Sequence, residues 1–300
     1  MSGYIWAWLI LLYGIVKGLR EALKKKAMET NSVLEVLFFY TLFAFLMIIP
    51  FSHDVFSVSF KYHIVLIVKA GIIFLAWLCA LNSIKRLPLS VYSVMDMGRI
   101  VFSILLGVLF LGESIGAFQL IGICLVIGGI TLVNLKSKQG VGEKANKKVI
   151  LLVIASCVLN SVSSILDKWL LSTDTERWLL GDDIITSSQL QFWYMLYLTL
   201  CYGMYILIKK EPIDVKKCLR CPWIWVLSLL FVIADRSLFV ANADPNSTVV
   251  VMTLIKQSSV LVTITMGKLV YKEKHIFYRI CCALMIIAGI MISLVKTTDF

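Results

Sequence analysis

Ten apolar runs, each near the ~20 residues that cross a bilayer core as a helix, occupy most of this 300-residue chain. The predicted spans are Tyr4–Leu23, Ser32–Phe51, Tyr62–Ser83, Pro88–Leu111, Ala117–Leu135, Lys148–Leu170, Gln189–Ile208, Pro222–Asn242, Asn246–Tyr271 and Ile276–Lys296. Short loops join them, with no room for a separate soluble domain. In hydrocarbon every backbone N–H and C=O must be satisfied inside the protein, which leaves helices or closed barrels. A barrel would show short alternating segments instead of long continuous runs. The predicted fold class is therefore all-α, a polytopic protein whose partner is the lipid bilayer. A composition 60% hydrophobic and 16% charged excludes an ordinary soluble domain of this length. The first run has no basic stretch ahead of it and no small-residue cleavage pattern before Lys17, so it is expected to remain as the first span.

The net charge of +11 does not indicate nucleic acid, because the bases fall in alternate loops. They gather at Lys24–Lys26, Lys85–Arg86, Lys136–Lys148, Lys209–Arg220 and Lys268–Lys274, while the other side holds only Lys61, Lys168, Arg177 and Lys296. This asymmetry predicts that the basic loops are cytoplasmic and that both termini lie outside the cytoplasm. The localisation that follows is a multi-pass plasma (inner) membrane protein. Six of the eight cysteines lie in apolar spans and read as small packing residues. Cys218 and Cys221 form a lone CxxC in a loop, a weak signal for zinc or redox chemistry without further ligands. No cofactor is expected.

The chain also repeats itself. Glu35-Val36-Leu37-Phe38-Phe39-Tyr40 returns as Gln189-Leu190-Gln191-Phe192-Trp193-Tyr194 at identical spacing. Leu109–Glu113 is echoed by Leu269–Glu273, Leu87-Pro88-Leu89-Ser90 by Asp244-Pro245-Asn246-Ser247, and Glu21 by Asp167. The boundaries that follow are residues 1–140 and 141–300, each a five-helix repeat. Five is odd, so the second repeat must enter the membrane with opposite polarity, which makes the pair inverted.

The residues Leu87-Pro88-Leu89-Ser90, Val108–Ser114 with its Leu-Gly-Glu, Leu120-Ile121-Gly122 and Gly128-Gly129-Ile130 resemble the ten-span EamA-like branch of the drug/metabolite transporter superfamily. The resemblance implies a transporter built from two five-helix repeats. The chain departs from the pattern at Tyr13-Gly14, where Trp-Gly is frequent, and at Tyr271-Lys272, where Leu-Gly is usual. Its charge bias also implies an orientation opposite to many relatives.

Charges near the middle of a span cost at least ~2.5 kcal/mol each on insertion scales, so they face a cavity or a partner. Asp96 and Arg99 stand three apart in span four, and Lys256 lies at similar depth in span nine, its repeat counterpart. Asp235 and Arg236 lie within span eight, about 100° apart on the helix, so they cannot both aim at one cavity. Tyr40 and Tyr194 are the matched tyrosines of the echo and candidates for an aromatic wall. These seven are the candidate substrate-binding residues; the competing structural reading makes them ion pairs and packing alone. Lys69 is the most ambiguous, its long stem able to snorkel to an interface. Lys17, Arg20, Glu21 and Lys24 read as a cytoplasmic helix end, with the pore as the alternative. Asn160, Ser161, Ser163 and Ser164 read as packing, with cavity lining as the alternative. Glu35 and Gln189 open spans two and seven, where an interfacial role is as open as a substrate contact. Gly14 and Gly18 allow close helix approach, leaving both an intramolecular partner and a homodimer open.

The resulting expectation is a secondary transporter of a small polar organic solute, anionic or zwitterionic, such as an amino acid or phosphorylated metabolite. Arg99 and Lys256 would attract a carboxylate or phosphate; Asp96 or Asp235 would receive an amine or titrate with a coupling proton. Exchange against a counter-substrate is equally open. The alternatives are export of cationic amphiphiles and a purely structural membrane protein. A membrane-embedded enzyme finds little support, since the histidines lie in loops or at span ends and HExxH does not occur, and the lack of GxxxxGK[ST] argues against direct ATP driving.

Overall fold

The computed structural model describes residues 5–52, 55–102, 147–171, 185–244, 258–272 and 276–293, with single helical positions between 106 and 132 and at 255–256. Among the described residues every regular element is helical and there are no strands. The helices are α1 (Ile5–Ala27), α2 (Val33–Ile48), α3 (Phe60–Arg86), α4 (Leu89–Asp96), α5 (Lys147–Leu171), α6 (Ser187–Lys209), the short α7 (Val215–Arg220), α8 (Pro222–Ala243), α9 (Ser258–Tyr271) and α10 (Ile276–Ser293). Five of the described segments are long and apolar enough to cross a membrane: Val33–Phe51, Phe60–Arg86, Lys147–Leu171, Ser187–Lys209 and Pro222–Ala243. The Leu-Gly-Glu stretch at 109–114, most of predicted span five, Pro245–Ser247, the Lys168 side chain and Glu273 lie outside the described residues.

Local chemistry sets the helix ends. The Ser32 hydroxyl accepts from the Glu35 N–H at 3.2 Å while the Glu35 carboxylate accepts from the Ser32 N–H at 2.7 Å. The same reciprocal cap opens α6, where Thr186 and Gln189 exchange bonds of 3.3 and 2.9 Å. Two orphan donors are satisfied at each start. The sequence echo thus returns as one capping device at matched positions, and this settles what Glu35 and Gln189 do locally. At the C-terminus of α3, Leu87 is extended because the following Pro88 disfavours helical backbone before it.

Packing pairs helices across the two halves of the chain. α1 packs most extensively on α8, and α3 on α5; α2 and α6 pack on each other, α2 also on α8, and α6 also on α3. Exchanging α1 with α5, α2 with α6 and α3 with α8 maps this pattern onto itself. α4 and α9 pack together, α9 also against α1 and α4 also against α5. Gly14 and Gly18 serve the α1–α9 contact: a Cβ on Gly18 would stand 2.6 Å from the Ser259 carbonyl oxygen. The close approach is therefore within the chain.

The outer surface is apolar. Trp8, Ile64, Leu151, Met204 and Leu207 are all more than half exposed, the surface expected of a protein solvated by lipid. Arg20, Glu21, Lys24, Lys69 and Asp235 are buried inside the bundle. Three basic stretches meet at one end of the bundle: the Lys25 ammonium donates to the Leu87 carbonyl, Asn31 donates to Cys221, and Glu35 accepts from the Asp214 N–H. At the other end Gln189 donates to Ser57 and the Trp193 indole to the Val55 carbonyl.

Candidate functional site

The apolar half of α1 gives way at Lys17 to a stripe of charges at positions 17, 20, 21 and 24, which share one helical face. That stripe is buried in the bundle: Arg20, Glu21 and Lys24 are each less than a tenth exposed. It is therefore not a solvated helix end, as expected from the sequence, but one wall of the interior. Desolvated charges require partners, and α4 and α8 supply them.

Near α4, the Lys17 ammonium lies 3.2 Å from Asp96 Oδ2, and Arg99 Nη1 lies 3.8 Å from the same oxygen. Asp96 and Arg99 do not ride on one continuous helix. α4 ends at Asp96, a turn occupies Met97–Gly98, and the chain re-enters helical backbone at Arg99. The Gly98 N–H bonds the Met95 carbonyl and the Ile100 N–H bonds the Met97 carbonyl, so the chain tightens to three-residue spacing here. Ser161 on α5 donates to the Arg99 carbonyl at 2.7 Å, and the Cys157 thiol approaches the Met95 and Asp96 carbonyls at 3.8 Å. The polar stretch of α5 thus meets backbone oxygens at the break. Interrupted helices of this kind form sites in membrane transporters, because irregular backbone is tolerated only where protein or a cavity surrounds it.

Beside the break, a narrow cavity is bounded by Lys17, Glu21, Tyr92, Asp96, Ser259 and Thr263. Glu21 Oε1 accepts from Lys24 at 2.8 Å, whereas its Oε2 is buried without a hydrogen-bond partner among the described residues. Lys256 lies just ahead of α9 with its ammonium 5.9 Å from the centre of the Tyr13 ring. Arg99, Asp167 and Lys17 are within electrostatic reach of Lys256, so bases from α1, the α4 break and the start of α9 converge, with a carboxylate of α5 nearby.

A second set lies between α1, α2, α6 and α8. Arg20 donates to the Tyr40 hydroxyl and lies 3.6 Å from Asp235 Oδ1, its guanidinium 4.5 Å over the Phe231 ring. The Tyr194 hydroxyl donates to Asp235 Oδ2. Lys69 on α3 is 1% exposed; its ammonium lies 2.7 Å from Asp167 Oδ1, 3.0 Å from the Ser163 hydroxyl and 5.1 Å over the Tyr194 ring. It is held inside the bundle and does not snorkel.

Of the candidate residues, Asp96 and Arg99 meet at one cluster, with Lys256 nearby, and Tyr40, Tyr194 and Asp235 meet at the other. Arg236 joins neither: it is exposed and donates to Ser188 at 2.6 Å. The residues that sequence reading placed elsewhere are Lys17, Arg20, Glu21, Lys69 and Asp167. The helical spacing of the α1 charges was the available signal, since mixed charges on one stripe of an apolar helix must turn inward.

Cys218 and Cys221 are both buried and flank Asn31, whose amide donates to Cys221 and whose carbonyl accepts from Cys218. Burial pushes the Cys218 thiol up to about 11, which keeps it protonated and a poor metal ligand at neutral pH. No cluster of three metal-ligating side chains occurs among the described residues.

Residues 4–135 match the family model described as the EamA-like transporter family. A solved crystal structure, 12% identical in sequence, superimposes with a TM-score of 0.63 over 97% of this chain and 99% of its own. That likeness shows a shared fold across both halves. No curated protein sequence matches the chain.

Proposed function

We propose, from the premise that residues 4–135 belong to the EamA-like transporter family of membrane transporters, that this chain is a secondary transporter of a small anionic or zwitterionic organic metabolite. It works by alternating access, with ten spans arranged as two inverted five-helix repeats and the basic loops on the cytoplasmic side. The exchange-symmetric packing of α1 on α8 and α3 on α5 supports the paired repeats. The gathering of basic loops at one end of the bundle supports the orientation.

The observation that carries the substrate class is the convergence of Lys17, Arg99 and Lys256 beside a broken helix, with Asp96 as the shared carboxylate. Among the described residues Lys256 has an aromatic contact but no ion pair, and Asp167, the carboxylate within its electrostatic reach, is held by Lys69. A carboxylate or phosphate supplies the missing negative charge. Asp96 bridges Lys17 and Arg99 through one oxygen and offers an acceptor to an amine, which accommodates zwitterions. Coupling to a proton or to a counter-substrate completes the cycle.

The test is a thermal-stability screen of the purified protein against amino acids, phosphorylated metabolites and lipophilic cations. A ligand at 100 times its Kd stabilises by about 2.7 kcal/mol. An anion or zwitterion is expected to raise the unfolding temperature of the wild type and not of Lys256→Ala. Stabilisation by lipophilic cations alone would replace this reading with drug export.

A further inference from the structure

The connection at residues 210–221 joins two helices long enough to span a membrane, α6 and α8, and carries the short α7. With the last residue of α6 it sets the bases Lys209, Lys210, Lys216, Lys217 and Arg220 against the acids Glu211 and Asp214. All five bases are exposed, and none has an ion pair among the described residues.

α7 is held to the bundle along one side. The Asp214 carboxylate caps it by accepting from the Lys217 N–H at 3.0 Å, and the Asp214 N–H donates to Glu35 at 3.1 Å. Cys218 is the buried residue of the helix, its thiol donating to the Asn31 carbonyl. The Trp225 indole donates to the Leu219 carbonyl at 3.0 Å. These ties fix the rotation of the helix. At 3.6 residues per turn, Val215 and Leu219 share the face beside Cys218, Lys216 and Arg220 share the next, and Lys217 lies beyond them. Val215 is 50% and Leu219 47% exposed. Leu207 and Ile208 in the last turn of α6, and Trp223 and Trp225 in the first turn of α8, are exposed as well.

Water suits the bases and hydrocarbon suits the apolar stripe. The boundary between headgroups and acyl chains suits both, and it is the level at which spanning helices end and tryptophans gather. We propose that α7 and the adjoining turns of α6 and α8 form a docking surface for anionic phospholipid. Lys216 and Arg220 meet the headgroup, Lys209, Lys210 and Lys217 add to the attracting field, and Val215 and Leu219 meet the acyl chains. A loop that only sets topology needs the charge alone. A soluble acidic partner would match the bases and leave Val215 and Leu219 unanswered. Lipid binding here requires only that the bundle sits in a bilayer, and is independent of which solute crosses it.

Hydrogen exchange of the purified full chain at residues 210–221 tests this, in nanodiscs of phosphatidylcholine alone and with phosphatidylglycerol added. The anionic lipid is expected to slow exchange there by about fivefold or more, the factor that one base contributes at an anionic surface. Added salt is expected to weaken the effect. Lys216→Gln with Lys217→Gln and Arg220→Gln is expected to abolish the difference between the two lipids; the three side chains are exposed, so the fold survives their neutralisation. Val215→Ser with Leu219→Ser is expected to reduce the difference while keeping every charge. Equal exchange of the wild type in both lipids overturns the proposal and leaves the bases to a soluble acidic partner. A difference that persists unchanged in either variant overturns it too. Equal protection by free glycerol phosphate in neutral nanodiscs overturns it in favour of a dissolved anion.

Discussion

Lys17 on α1 lies 3.2 Å from Asp96 on α4, so a carboxylate at a helix break is answered by a base 79 positions earlier in the chain. Both side chains are about seven-eighths buried. Removal of either leaves the other desolvated and unpaired, although Arg99 still accompanies Asp96. Asp96→Asn and Lys17→Met are each expected to lower stability by about 3 kcal/mol. A double-mutant cycle is expected to return a coupling of about 1–3 kcal/mol. Thermal unfolding of the four proteins in detergent measures it, and additive losses would show that the contact contributes nothing.

The α1–α9 contact admits no side chain at Gly18. A Cβ there meets the Ser259 carbonyl oxygen at 2.6 Å and Val262 Cβ at 2.7 Å. Gly18→Leu is expected to destabilise by about 1–3 kcal/mol through overpacking. Gly71→Ala serves as the contrast, since nothing lies within 4 Å of its Cβ position. It is expected to raise stability by about 0.4–1 kcal/mol by restricting the unfolded chain. Unfolding temperatures that fall equally for both would overturn this account.

Each capping residue does two things at once. Glu35 closes the cap of α2 and also accepts from the Asp214 N–H at 3.1 Å; Gln189 closes the cap of α6 and also donates to Ser57 at 2.9 Å. Ser32→Ala and Thr186→Ala are each expected to cost about 1 kcal/mol, the ordinary value of a cap. Glu35→Ala removes the cap bond and the loop tie together and is expected to accelerate hydrogen exchange at residues 210–217. Ser32→Ala, which spares the tie, is expected to leave that loop protected.

Cys218 is fully buried, and its thiol is pushed up to about 11 by burial. The raised value means the neutral thiol prevails below that pH, so thiolate chemistry grows as pH rises toward 11 and is suppressed near 7. Alkylation of the folded protein, located by peptide mass mapping, is expected to spare Cys218 at pH 7 and to modify exposed Cys281 when detergent admits the reagent. Rapid modification of Cys218 at pH 7 would restore a reactive role for the CxxC.

The long apolar runs, the charge asymmetry of the loops and the echo between the halves were all legible along the chain, because each is a local pattern. Helix formation in a bilayer needs only apolar length and internally satisfied backbone. Capping boxes need four adjacent residues, so Ser32–Glu35 and Thr186–Gln189 lie within reach of sequence reading. That Asp96, Arg99 and Asp235 would seek partners was legible for the same reason. What those charges touch was not. Partnership depends on how far each helix rotates and where it breaks, and both are set by packing between segments distant in the chain. The turn at Met97–Gly98 separates Asp96 from Arg99, a one-residue step along α8 sends Arg236 outward while Asp235 turns in, and Lys69 finds Asp167 nearly a hundred positions away. The sequence alone determined a helical membrane protein with charges that require partners; only the tertiary structure chose the partners, because burial makes an unpaired charge too costly and the fold decides which opposite charge is near.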